Sequence, residues 1–195
     1  MKCGLRQLAI LSLSILTSAC HDSGNRASDN ILEYPEFITV SLEGQDCISA
    51  TVMNPWKKGR ILHSYILCGK DRNDSISSRG KSLVHIPLQR VIVMNNSHCR
   101  LLSELGIAHS IAGVCESGYI SDPVILAGIK DGSITDCGNS MYPSIEKIVE
   151  LHPDAILLSP FEDSGYGQLE KLGIPLIECA DYMETSPLGR AEWMG

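Results

Sequence analysis

The stretch Pro143 to Leu158, with the sequence PSIEKIVELHPDAILL, decides the fold of this chain. In its first half, Ile145 and Ile148 recur at helical spacing and form one apolar face of a short helix, which Pro153 ends. The second half, Ala155 to Leu158, is a continuous apolar run, which is typical of a strand buried on both faces of a parallel sheet. A helix that leads directly into a buried strand is part of a βαβ unit, so the stretch predicts an α/β fold.

The same alternation continues on both sides of that stretch. Apolar strands are predicted at 90–94, 111–114, 134–136 and 175–179, and helices at 97–105, 123–132 and 168–172. Ser97 is the expected N-cap of the first helix, and Asp122-Pro123 is a cap followed by a first-turn proline. This spacing implies right-handed crossovers and one parallel sheet covered by helices on both faces. Residues 90–180 are therefore predicted to form a three-layer, Rossmann-like α/β lobe.

A different pattern precedes the lobe, in residues 36–89. Short β-rich runs occur at 37–40, 47–52, 62–68 and 83–86, with a turn signal at Gly44-Gln45 and a polar loop from Lys70 to Lys81. These runs predict a small antiparallel sheet in front of the lobe.

The N-terminus has the features of an export signal. Lys2 and Arg6 precede an apolar run from Leu8 to Leu16, which is too short to span a bilayer. Small residues and then Cys20 follow, as in a bacterial lipobox, so residues 1–19 are predicted to be a signal peptide and Cys20 to be lipidated. Residues 20–35 are the expected flexible tether, and the protein is expected on the periplasmic face of a bacterial membrane. A plain signal peptide with a chance cysteine is the alternative.

The formal net charge of −7 argues against nucleic acid as a partner, because phosphate binding requires clustered Lys and Arg. Six cysteines follow Cys20, and their spacing does not match that of a zinc site. Three disulfides would be usual in an exported protein. However, most of these cysteines lie inside or next to apolar runs, which predicts mostly free, buried thiols.

Five segments resemble one family of proteins, and together they cover nearly all of residues 36–195. They are Pro143–Leu158, Lys171–Ile177, Arg90–Met94 with Leu105-Gly106, Asn54–Trp56 with Tyr65–Leu67, and Asp181–Trp193. In their order along the chain, they resemble a lipoprotein branch of the class III periplasmic binding proteins, which serve ABC importers of iron-siderophores and cobalamin. The resemblance implies two α/β lobes joined by a long helix, with the ligand in the cleft between them. This chain would hold the N-terminal lobe and, in 181–195, the start of the joining helix. The second lobe would then be missing because the chain is a fragment or because its gene is truncated.

Ligands of open parallel sheets bind beyond the carboxyl ends of the strands. With the resemblance, this rule implies ligand-binding residues in the loops after successive strands: Asn96, Ser97, Tyr119, Ser140, Met141, Tyr142 and Phe161. Aromatic side chains there can stack on a corrin, a porphyrin or a catecholate. The expected ligand is an iron-siderophore, haem or cobalamin. These loops lack Arg and Lys, which favours a neutral flat ligand such as cobalamin unless the second lobe supplies the charge.

Glu146 is the expected contact with the importer. In the family that the chain resembles, the acid at this point of the helix docks into an arginine pocket of the membrane permease. The alternative is a solvated glutamate that the dipole of its own helix favours in the first turn.

The sequence does not support catalysis or metal binding. The serines lack a nucleophile-elbow sequence, and the glycines do not form a phosphate-binding or dinucleotide motif. His98-Cys99 by itself does not make a metal site. No enzymatic activity, cofactor or metal is therefore expected. The alternatives are a truncated remnant that acts as an interaction module and, less favoured, an exported α/β hydrolase.

Overall fold

The computed structural model describes residues 30–43, 47–70 and 80–194. The predicted signal peptide, Cys20, the turn at 44–45 and most of the 70–81 loop lie outside these residues. Two sheets make up the described part of the chain, one of four strands and one of five.

The leading sheet contains strands β1 (Ile38–Glu43), β2 (Cys47–Met53), β3 (Ile61–Gly69) and β4 (Ser82–Ile86), in that order. The pairs β1–β2 and β2–β3 are antiparallel, as predicted, but β4 runs parallel to β3. The expectation of a purely antiparallel sheet is thus wrong for its last strand. The strand spans could be predicted from β-rich runs, whereas the direction of β4 depends on the path of the connection that precedes it.

The second sheet confirms the predicted parallel sheet of an α/β fold. Its strands are β5 (Val91–Val93), β6 (Ile111–Val114), β7 (Thr135–Asp136), β8 (Ala155–Leu158) and β9 (Leu176–Glu178), in the order β7-β6-β5-β8-β9. All four neighbouring pairs are parallel. The carboxyl ends of all five strands therefore lie along one edge, which we call the carboxyl edge.

The helices are α1 (Asn96–Glu104), α2 (Pro123–Asp131), α3 (Ile145–Glu150) and α4 (Pro187–Glu192). The N-cap of α1 is Asn95 and not Ser97, because the side chain of Asn95 accepts a hydrogen bond from the Ser97 backbone N–H. Asp122 caps α2 and Gly132 ends it in a left-handed conformation, as expected. The predicted helix at 168–172 is instead a single 3-10 turn, Leu169–Lys171.

Apolar side chains fill both faces of the parallel sheet. Val91, Val93 and Ile125 belong to the cluster under α1 and α2, and Ile92 and Ile148 belong to the cluster under α3. Alternate residues of one strand thus pack into the apolar clusters on opposite faces of the sheet. Because both faces are buried, the strands appear in the sequence as continuous apolar runs.

The leading sheet packs against the lobe through Tyr65. Its ring lies in a cluster with Val84 and Ala180. Its hydroxyl donates to the Leu176 carbonyl at 3.0 Å and accepts from the Glu178 backbone N–H at 2.9 Å. The leading sheet therefore contacts the lobe along β9.

Residues 31–37 are held in place, although a tether through residue 35 was expected. Glu192 accepts hydrogen bonds from the backbone N–H groups of Glu33 and Tyr34, at 2.9 and 2.8 Å. Glu184 accepts from those of Glu36 and Phe37, at 2.9 and 3.0 Å. These contacts bind the N-terminal segment to the region of α4, so any tether ends before residue 31.

Four of the six cysteines that follow Cys20 are free, in agreement with the prediction of mostly free thiols. Cys99, Cys115 and Cys137 are buried in the core of the lobe. The exception is a disulfide between Cys47 and Cys68, which face each other on β2 and β3. Their pairing depends on the register of two strands and could not be predicted from their separate apolar runs.

Candidate ligand-binding site

A pocket of about 570 Å³ opens at the carboxyl edge, between the loops that follow β7 and β8. Its described lining comprises Ser140, Met141, Tyr142, Pro143, Ile145, Glu146, Phe161, Gly165, Tyr166, Gly167, Gln168 and Leu169. A groove of about 700 Å³ beside α2 lies near the amino ends of β6 and β7, away from this edge. Because ligands of parallel sheets bind at the carboxyl edge, the pocket of about 570 Å³ is the candidate site.

The first wall of the pocket is the loop from Gly138 to Ser144. Gly138 has φ of +91° and forms a bridge with Pro143, which closes the loop on itself. The side chain of Asn139 accepts from the backbone N–H groups of Met141 and Tyr142, at 2.8 and 3.3 Å. The Met141 and Tyr142 side chains are 59% and 87% exposed, so this closed loop presents both to solvent.

Glu116 holds this loop from the neighbouring strand. Its Oε1 accepts from the Ser140 backbone N–H and hydroxyl, both at 2.9 Å, and from Asn139 Nδ2 at 2.8 Å. Its own backbone N–H donates to the Gly138 carbonyl at 2.8 Å. Glu116 has φ of +55°, a left-handed conformation that is uncommon outside glycine. One residue in an unfavourable conformation therefore organises the first wall.

The second wall carries Phe161 and Tyr166. The Tyr166 hydroxyl donates to Glu178 Oε1 at 2.6 Å, and Glu178 is buried at the end of β9. Burial and the hydrogen bond to Glu178 raise the pKa of Tyr166 above its ordinary value, so this phenol stays protonated. The Tyr166 ring is thereby fixed between the pocket and the sheet, whereas Phe161 is 43% exposed.

Glu146 lies at the start of α3 and lines the pocket. It accepts a hydrogen bond from the hydroxyl of Ser144, the N-cap of this helix, at 3.3 Å. The adjacent Lys147 extends away and donates to the Asp136 carbonyl at 2.6 Å. Glu146 is the one charged residue among the described residues that line the pocket, and these residues do not include Lys, Arg or His.

The structure brings together five of the residues singled out in the sequence: Ser140, Met141, Tyr142, Phe161 and Glu146. Asn96, Ser97 and Tyr119 lie along the same edge but do not line this pocket. Glu146 was expected to contact the importer, and the other four residues were expected to bind the ligand. The structure nevertheless places all five around one cavity.

Sequence reasoning missed Glu116 and Asn139, which shape the pocket without lining it. Each lies just beyond a strand end, which is the available sequence signal. A left-handed glutamate has no sequence signature, however, so its hydrogen bonds appear only in three dimensions.

His98, which with Cys99 does not by itself make a metal site, lies outside the pocket and has a structural contact. It is buried, and its Nε2 lies 3.0 Å from Asp181 Oδ1. Within the described ranges, groups of three or more His, Cys, Asp or Glu side chains that could hold a metal are not found. Nor do those ranges contain a helix with the length and apolar character needed to cross a membrane.

Comparison with curated proteins finds two lipoproteins and one binding protein as relatives, and the one relative whose name states a role is a binding protein. Two are uncharacterised lipoproteins of Methanocaldococcus jannaschii. One is 30% identical over 142 residues, 64% of this chain and 34% of that protein. The other is 27% identical over 124 residues, 60% of this chain and 31% of that protein. No family model matches the chain.

A third relative is the petrobactin-binding protein YclQ of Bacillus subtilis, 27% identical over 100 residues, 50% of this chain and 31% of that protein. The crystal structure of YclQ aligns with a TM-score of 0.40 at 28% identity, over 49% of this chain and 32% of that one. The siderophore-binding protein BauB aligns with a TM-score of 0.37 at 30% identity, over 47% and 30%. The chain spans about a third of the length of the curated relatives it matches.

Proposed function

We propose that this chain is the N-terminal lobe of a class III substrate-binding protein that captures an iron-siderophore for an ABC importer. The observation that carries the proposal is the pocket at the carboxyl edge, where Met141, Tyr142, Phe161 and Tyr166 surround a cavity large enough for part of a small ligand. The name of the petrobactin-binding relative supports the choice of ligand class.

The walls of the pocket are suited to binding rather than to chemistry. Tyr142, Phe161 and Tyr166 offer flat apolar faces for a chelate, and the loop from Gly138 to Ser144 is closed by its own hydrogen bonds before any ligand arrives. A pre-formed loop costs less ordering entropy when the ligand binds. This preorganisation supports ligand capture.

The test is equilibrium binding of ferric siderophores, haem and cobalamin to the purified chain, followed by absorbance after dialysis. Because one lobe offers part of the contacts, we expect a ferric siderophore to bind with a Kd weaker than about 1 μM, which corresponds to about 8 kcal/mol. Tyr142→Ala should weaken binding at least severalfold. Tyr34→Ala is the matched control, because Tyr34 is also an exposed tyrosine but lies in the N-terminal segment, outside the pocket.

Three results would contradict the proposal. The first is that none of the compounds binds at millimolar concentration. The second is that the two tyrosine variants lose affinity equally. The third is that haem or cobalamin binds while ferric siderophores do not, which would replace the ligand class and leave the role in import standing.

The membrane-side partners belong to the same proposal. Acyl chains on Cys20 would hold the protein at the membrane, since each buried CH₂ contributes about 0.8 kcal/mol. Glu146 would meet the permease of the importer, because its carboxylate is exposed at the start of α3. Replacing Cys20 with Ser should release the protein from membranes in a fractionation experiment, and unchanged membrane association of C20S would contradict the lipid anchor.

A further inference from the structure

Three of the residues around the pocket are aromatic, and one is an acid. Tyr142, Phe161 and Tyr166 present ring faces, and Glu146 supplies the carboxylate. A ring face attracts a cation through its quadrupole, and a carboxylate attracts it through its charge. Both kinds of group therefore favour the same sign of charge in the ligand.

Two nearby lysines are engaged outside the pocket. Lys147 donates to the Asp136 carbonyl. Lys57 pairs with Asp163 at 2.5 Å, on the loop that continues from Phe161. The pocket lining, as far as the structure describes it, lacks a cation that could neutralise Glu146.

The neighbouring acids add to this negative field. Glu116 lies behind the first wall, where its carboxylate is occupied by Ser140 and Asn139. Glu170 accepts the backbone N–H of Tyr166 at 2.8 Å behind the second wall. An anionic ligand would meet repulsion from both walls, whereas a positively charged group would meet attraction.

We propose that this pocket selects ligands in which a protonated amine accompanies the metal chelate, and that Glu146 and the aromatic rings receive the amine. The inference rests on the proposed function, since it names the charge class of the ligand that the same site binds. It assigns Glu146 to the ligand before the loaded protein meets the permease. It also changes the expected preference from a neutral flat ligand to a cationic one, because the pocket gathers Glu146 together with the aromatic residues.

The experiment compares two probes that differ by one charge. The first is the ferric complex of desferrioxamine B, a linear trihydroxamate with a protonated terminal amine. The second is the ferric complex of its N-acetylated derivative, in which the amine is neutralised. Titration calorimetry at low salt should show the amine form binding about fivefold to tenfold more tightly, as expected for one cation beside a carboxylate and aromatic faces.

The variants Glu146→Gln and Glu150→Gln locate the effect. Glu150 is an exposed acid in the last turn of the same helix and does not line the pocket. We expect the preference for the amine form to fall to about twofold or less in E146Q and to persist in E150Q, because attraction by a carboxylate depends on its distance from the cation. A preference that survives in E146Q would overturn the assignment to this pocket.

The remaining outcomes separate this inference from the proposed function. Equal binding of the two probes, or tighter binding of the acetylated one, overturns the inference while ligand capture stands. Tightest binding of a triply anionic ferric tricatecholate does the same. If none of the ferric complexes binds, the proposed function fails and the inference fails with it.

Discussion

The carboxylate of Glu116 accepts hydrogen bonds from both the backbone N–H and the hydroxyl of Ser140, each at 2.9 Å. The two residues are 24 positions apart, in the loops that follow neighbouring strands β6 and β7. This contact joins two loops of the carboxyl edge and sets the position of Met141 and Tyr142. The shape of the pocket thus depends on a residue that does not line it.

The first prediction concerns this contact. Glu116→Ala should lower the free energy of unfolding by about 1–2 kcal/mol, because three donors lose their acceptor at a partly exposed site. Glu116→Gln keeps an amide oxygen that can accept the same bonds and should stay within about 0.5 kcal/mol of the parent. Hydrogen exchange of the Ser140 amide should accelerate in E116A and not in E116Q. Equal exchange in all three proteins would show that Glu116 does not organise the loop.

The second prediction concerns the N-terminal segment. Glu184 is buried and accepts from the backbone N–H groups of Glu36 and Phe37 and from Trp193 Nε1. Glu184→Ala should destabilise the fold by about 3 kcal/mol, because three part-buried donors lose their acceptor at once. Glu192→Ala is the comparison, since Glu192 makes the same kind of contact at a more exposed site and should cost about 1 kcal/mol. Urea denaturation followed by tryptophan fluorescence measures both, and equal costs would contradict this explanation.

The third prediction concerns the junction between the two sheets. Tyr65→Phe removes a hydroxyl that both donates to Leu176 and accepts from Glu178, and it leaves these backbone groups without that partner. The expected loss is about 1–3 kcal/mol in the free energy of unfolding. Tyr119→Phe serves as the control, because Tyr119 is 75% exposed, and should change stability by less than about 0.5 kcal/mol. A Tyr65→Phe protein as stable as this control would show that the hydroxyl does not secure the junction.

The fourth prediction concerns the buried thiols. Burial raises the pKa of Cys99 and Cys115 to about 12 and that of Cys137 to about 11, from an ordinary value of 9.0. A raised pKa in the folded state favours the protonated form, so this stabilisation is complete below about pH 9 and is lost as the pH rises through 11 and 12. Stability should therefore fall with increasing pH in this window, less steeply in Cys115→Ala. A slope that is the same with and without Cys115 would contradict its contribution.

The same three cysteines should resist alkylation in the folded protein near neutral pH, because the reactive species is the thiolate. They should react fully after denaturation in urea. Peptide mass spectrometry measures each thiol separately, and rapid labelling of Cys99, Cys115 or Cys137 in the folded protein would refute their burial.

The fifth prediction concerns Glu146 in transport. Replacing it with Lys in a protein that carries both lobes should reduce uptake at saturating ligand, because a reversed charge repels the arginines proposed on the permease. Glu150→Lys, on the same exposed helix, should leave uptake unchanged. Saturating ligand removes any effect of the variant on affinity, and normal uptake by E146K would refute docking through this residue.

The order and type of the lobe's main elements could be predicted from the sequence, because periodicity and capping are local. Ala155 to Leu158 is a buried strand as expected, and α2 lies between its predicted cap at Asp122 and its predicted end at Gly132. The short 3-10 turn at Leu169–Lys171 was predicted to be a longer helix, because propensity alone does not distinguish one turn from several.

The sequence by itself thus determined the parallel α/β lobe. Continuous apolar strands that alternate with amphipathic helices can bury all their apolar faces in few other arrangements. It also indicated the loops in which the pocket residues lie. The tertiary structure alone decided that Glu146 shares a cavity with Tyr142 and Phe161, that Glu116 shapes this cavity, and that Cys47 pairs with Cys68. These relationships depend on strand register and loop closure between residues far apart in the chain, and local patterns do not encode such distances.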